Sequence, residues 1–100
     1  MAELTVVYWR DIPAQVIVKR GRKSAKAPLS QRFHEAIDRA AMRAGKGSSD
    51  AYLADWKRST PRECGDEIEV EARAEAERLE QSFSNQQLQQ LVKAGGELSK

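Results

Sequence analysis

The chain has 100 residues, 40% of them hydrophobic and 32% charged, with a formal net charge of +2. That is one domain's length, and its 26 large apolar residues and 14 alanines suffice for one thin core but leave little for a spacious internal pocket. The longest apolar run, "LTVVYW", is far too short to span a bilayer. The start "MAELTVVYWRD" lacks the basic, apolar and cleavage regions of a signal peptide. One cysteine excludes an internal disulfide, so a reducing cytoplasm is the expected setting, with no membrane partner.

In chain order, "LTVVYWR" is dense in β-branched and aromatic residues and predicts a strand, with Leu4, Val6 and Tyr8 on one side and Thr5, Val7 and Trp9 on the other. "DIP" then punctuates, with Pro13 as a turn residue, and "AQVIVKR" predicts a second strand. So short a connection implies an antiparallel hairpin. Both faces of the hairpin are largely apolar, so at least one of the strands is expected to be covered on both sides, and the hairpin needs helices or further strands to be stable. "GRKSAKAP" predicts a polar connector. Ser30 is an expected N-cap for a helix reaching about Ala44, whose stripe is Phe33, Ile37, Ala40, Ala41 and Ala44; Gly45 and Gly47 end it.

A short helix is expected near Asp50 to Arg58, with Tyr52, Leu53 and Trp56 on one side, and "TPRECGD" breaks the pattern. Asp66 with Glu69 resembles a capping box. "IEVEARAEAE" alternates like a strand, yet its Ala, Glu and Arg favour a helix, with Ile68, Ala72, Ala76, Leu79 and Phe83 at helical spacing. A third strand at Glu67–Glu71 is the alternative. Ser84 with Gln87 is a second capping box, opening a last helix with Leu88, Leu91 and Val92 that Gly95-Gly96 ends. The expected fold is α+β: one domain over 1–94, a hairpin packed on about four helices, and a loose tail over 95–100.

Charge is unevenly spread. Residues 1–62 hold 13 Lys+Arg against 6 Asp+Glu, and residues 63–100 hold 4 against 9. The halves either attract each other in the fold or leave a basic face for a partner. Lys19, Arg20, Arg22, Lys23 and Lys26 form the densest basic run and could neutralise phosphates, with Arg10 adding to it. No aromatic is interleaved with them to stack bases, and no helix-turn-helix, zinc-finger or RNP pattern surrounds them. Nucleic-acid binding through residues 19–26 is therefore the alternative reading; a solvated loop, an acidic protein surface or a ligand phosphate explains the run as well.

Cys64, ahead of a helix start and near Arg62, is a candidate reactive thiol, but Glu63 and Asp66 oppose a thiolate and no second cysteine offers a metal pair. His34 and Asp38 fit an i,i+4 surface pair. The seven acids between Asp66 and Glu80 fit a solvated helix face. No metal site, cofactor or catalytic set is expected, so the reading is non-catalytic. Tyr8, Trp9, Arg10 and Trp56 are the candidate partner-binding residues, since Trp, Tyr and Arg concentrate at interface hot spots, and the partner is a protein or a second copy of the chain.

The strings "VVYWRDIPAQVIVKRGRKSAK", "FHEAIDRAAMRAG", "DAYLADWKR" and "CGD" together resemble a small bacterial family, the virulence factor domain, over about residues 3 to 82. The resemblance is to the form that occurs alone in alphaproteobacteria and to the C-terminal module of conserved virulence factor C. It implies an accessory role, with an association to methyltetrahydrofolate and corrinoid methyl transfer in one-carbon metabolism, and no catalytic residues.

Overall fold

The structure, a computed structural model, describes residues 2–45 and 53–96. Its element order is β1 (Ala2–Trp9), β2 (Ile12–Arg20), β3 (Lys23–Pro28), α1 (Gln31–Arg43), β4 (Trp56–Arg58), β5 (Arg62–Cys64), α2 (Ile68–Ser82) and α3 (Asn85–Lys93). The fold is α+β, as expected: an antiparallel sheet in the order β3-β2-β1-β4, with β5 also on β1, packed against helices.

The predicted hairpin is its centre. Leu4 faces Val18 and Val6 faces Val16; the register then shifts, with Val7 opposite Gln15 but Tyr8 opposite Pro13, so Ala14 is the extra residue of a bulge. The connector expected at 21–28 is instead a third strand. Lys23–Pro28 pairs with β2 around a two-residue turn in which Gly21 takes φ 60°. Its low β-propensity hid it, yet Ala25 and Ala27 are half-buried on the core side while Ser24 and Lys26 stay exposed.

The other edge of β1 is filled by a broken strand. Val7, Tyr8 and Trp9 pair with Arg58, Lys57 and Trp56, and Ala2, Glu3 and Leu4 pair with Cys64, Glu63 and Arg62. Ser59 spans the break: its N–H donates to the Val6 carbonyl at 2.9 Å, and its hydroxyl accepts from the Val6 N–H at 2.9 Å. The helix expected at 50–58 is corrected accordingly. Leu53 and Ala54 are helical, Trp56–Arg58 are strand, and Tyr52 lies outside the described residues. Three helices of nine residues or more are described, where about four are expected.

Residues 67–71 are not a third strand: α2 covers 68–82 and buries Ala72, Ala76 and Leu79. Helical packing of alanines beneath β2 and β3 outweighs the local alternation. Asp66 does not cap it; Glu67 is the N-cap, without a side-chain hydrogen bond. Ser84 and Gln87 do form the reciprocal capping box of α3. Ser30 stands at the N-cap of α1, but its N–H and hydroxyl both donate to the Glu80 carboxylate, at 2.6 and 2.9 Å. Arg32 joins the same tie through the Glu80 carbonyl. Ion pairs Arg20–Asp66, Arg32–Glu80 and Arg62–Glu75 cross from the basic half to the acidic one, so attraction between the halves is part of the charge asymmetry.

One core cluster joins the even-numbered side of β1 and β2 (Leu4, Val6, Val16, Val18) to Phe33, Ile37, Ala40, Ala72, Leu79, Leu88 and Leu91. Gly95 and Gly96, expected to begin a loose tail, are buried. The Gly96 carbonyl accepts from the Asp11 N–H at 2.8 Å, and a Cβ on Gly96 would lie 2.6 Å from Trp9 Cζ3. No described helix is long and apolar enough to cross a membrane.

Candidate interaction face

Strand alternation sends Glu3, Thr5 and Val7 of β1, and Gln15, Ile17 and Lys19 of β2, away from the helices, while Trp9 at the end of β1 is buried in the core. Register sets them in rows. Glu63, Glu3, Lys19 and Ser24 form one; Thr5, Ile17 and Lys26 the next; Arg58, Val7, Gln15 and Pro28 a third. None of these belongs to the core cluster. Ile17 is nonetheless only 7% exposed, although no described helix covers it. The double coverage expected of the hairpin is thus met at Ile17 by neighbours on the same face: Glu3, Thr5, Lys19, Arg58, Ser59 and Pro61 line one depression with it. Long cationic side chains keep their heads in water while their stems shield apolar surface.

The basic run does not act as one patch. Because it folds into a hairpin, its cations alternate between faces. Lys19 and Lys26 stand on the open face, Arg20 and Lys23 pair on the helix side, and Arg22 sits in the turn. Arg20 reaches Asp66 at 3.7 Å.

The aromatic candidates separate in the same way. Trp9 is completely buried and is a core residue, which removes it as an exposed anchor. Arg10 has φ 54°, unusual for a residue with a side chain, and its side chain is 15% exposed. Its Nε donates to Asp55 at 3.1 Å, its Nη1 donates to the Gly95 carbonyl at 2.9 Å, and its guanidinium lies 5.2 Å from the Trp9 ring centre. It clamps the first turn to the C-terminal turn instead of presenting itself to a partner. Tyr8 and Trp56 are half-buried. Tyr8 packs toward the core, where burial raises its phenol above the ordinary value. Trp56 also touches the core and lines a second depression with Val7, Gln15, Lys57 and Arg58, so it alone of the four borders the open face.

Cys64 lies in β5, not at a helix start, and packs against the core. Burial first, and then the Glu71 carboxylate, push its thiol upward, so the candidate reactive thiol is held protonated. No group of three or more His, Cys, Asp or Glu side chains among the described residues could hold a metal ion.

Two features escaped sequence reasoning. Arg58 joins the open face because Trp56–Arg58 is strand, a three-residue stretch without a hydrophobic signature. Glu75, 7% exposed, is the buried polar residue of the core and links two arginines. Its place on the inner side of α2, in register with Ala72 and Ala76 and Leu79, was the available signal.

Comparison with curated proteins returns no match, and neither does comparison with solved structures. A family model described as "virulence factor" matches residues 7–92, from the end of β1 through α3. That span holds the bulged hairpin, the broken edge strand and all three described helices, and on it the chain belongs to the virulence factor family.

Proposed function

We propose that the chain is a non-catalytic accessory module that docks a partner protein on the open face of its sheet. The partner surface offers an apolar contact for Thr5, Val7 and Trp56, rimmed by carboxylates for Lys19, Lys26 and Arg58. The observation carrying the reading is that three cations from three different strands frame one apolar strip that no described helix covers. Charge complementarity around a small apolar centre is the usual anatomy of a specific interface. The resemblance to the family makes enzymes of methyltetrahydrofolate and corrinoid methyl transfer the first partners to assay.

The test compares two charge reversals. Lys26→Glu with Arg58→Glu alters the open face; Arg20→Glu with Lys23→Glu alters the helix side. Affinity capture from the native organism, followed by binding of the purified partner, should fail for the first pair and succeed for the second. Equal loss in both, together with salt-sensitive retardation of nucleic acid in a gel shift, would replace this reading with nucleic-acid binding. Sedimentation of the isolated chain identifies a second copy as the occupant if the first pair abolishes a dimer.

A further inference from the structure

Arg62 and Arg78 form a cluster apart from the open face. Arg62 follows the Leu4 row, which points toward the helices, and Arg78 lies one turn beyond Glu75 on α2. Both converge on one carboxylate: Arg62 Nη2 and Arg78 Nε each donate to Glu75 Oε1 at 2.9 Å, and Arg78 Nη2 donates to Oε2. Glu75 is 6% exposed in its side chain, whereas Arg62 is 57% and Arg78 61% exposed.

We propose that this guanidinium pair is a binding site for the phosphate monoester group of a small molecule. Two cations share one anion, so the triad keeps a net positive charge, and most of its N–H donors remain uncommitted and face water. Like charges side by side repel unless something holds them; here the buried carboxylate does, and the bidentate grip on Arg78 fixes its plane. The cost of ordering two long side chains is met before any ligand arrives. A tetrahedral dianion can bridge two guanidinium forks at once, which a single carboxylate does less well.

The surroundings suit the rest of such a ligand. Burial raises the Tyr8 phenol above its ordinary value, Arg78 opposes that effect, and Glu75 and Asp11 add to it. Tyr8 also lines a cavity beside β4, together with Arg10, Asp11, Lys57, Ser59 and Thr60 among others. An aromatic wall and two hydroxyls supply stacking and donors for an organic group. Of the nearby acids, Asp11 pairs with Lys57 at 3.6 Å, and the Glu71 carboxylate stands close to Gly65.

The test is a nuclear magnetic resonance titration of the full chain, first with inorganic phosphate and then with phenyl phosphate, at low salt and pH 7. Saturating shifts are expected at the Arg62 and Arg78 Nε–H groups and at Tyr8, with phenyl phosphate binding more tightly and a dissociation constant of roughly 1 mM or below. Arg62→Ala should weaken binding about tenfold, and Arg62→Lys should recover part of it, since charge returns without the fork. Arg73→Ala, on the exposed side of α2, should change nothing. Shifts that rise linearly without saturating, or an equal loss in Arg73→Ala, overturn the proposal. Both outcomes are read on the wild-type fold or on variants of exposed residues.

Discussion

The two hairpin turns share a backbone shape, each with a left-handed first residue, and differ in what holds them. "WRDI" and "RGRK" each place an arginine in a two-residue turn between strands. Arg10 is fastened on three sides, by Asp55, the Gly95 carbonyl and the Trp9 ring, and holds a left-handed backbone without being glycine. At the other turn, a Cβ added to Gly21 meets no atom within 4 Å, and Arg22 is exposed. The difference teaches that cation density in a sequence does not locate function. The arginine in the shorter, less basic string is the one the fold depends on, while the conspicuous basic run divides between two faces.

The sharpest way to break this contrast is Gly96→Ala. A methyl 2.6 Å from Trp9 must displace a fully buried ring, at φ 94°. We expect a loss of about 3 kcal/mol, read as a fall in Tm of roughly 10 °C or more. Arg10→Ala removes two charge-assisted bonds and leaves the strain, costing about 2 kcal/mol in denaturant unfolding. Arg10→Gly should cost less by about 1 kcal/mol, because glycine accepts the left-handed backbone; if both variants are equal, the backbone is not strained there.

Arg78 is an intermediate case, anchored at one end and exposed at the other. Its hydrogen bond, with help from Arg62, holds the Glu75 carboxyl below the usual carboxylate range against the opposing effect of burial. A depressed folded value means the stabilisation is present above the unfolded pKa of about 4.3 and is lost as pH falls through the folded value. Arg78→Ala should therefore flatten the acid limb of the stability profile, by about 1 kcal/mol at neutral pH given its exposure. At the second turn, Gly21→Ala should cost under about 1 kcal/mol, from backbone strain alone, and Arg22→Ala less than about 0.5 kcal/mol.

Much of the architecture was legible. The β-branched runs of β1 and β2, the alanine stripes of α1 and α2, and the Ser84–Gln87 box are local signals whose packing agrees with them. What was hidden depends on distant partners. "KSAKAP" is a strand only because β2 offers an edge and α2 needs small residues beneath it. "WKR" and "REC" are strands only because β1 has a second edge to fill. For the site, Trp56 and two of the five connector cations border the open face, whereas Trp9 is buried and Arg10 is tied to Asp55 and Gly95. A Trp-Arg string looks the same to the eye whether it is a hot spot or a core clamp; burial decides, and burial is a property of the whole chain.

The repaired ladder at Ser59 has a consequence for how the molecule is assembled. β1 is an interior strand, and its second neighbour is not supplied until residues 56–64. Without that segment β1 would present a bare row of amides and carbonyls, the template on which chains aggregate. A serine that offers both its backbone and its hydroxyl to Val6 lets a broken, polar segment close that row despite the extra residue between β4 and β5. The sheet is thus closed by a nonlocal contact between β1 and residues 56–64, the kind of pairing whose loop-closure cost slows folding.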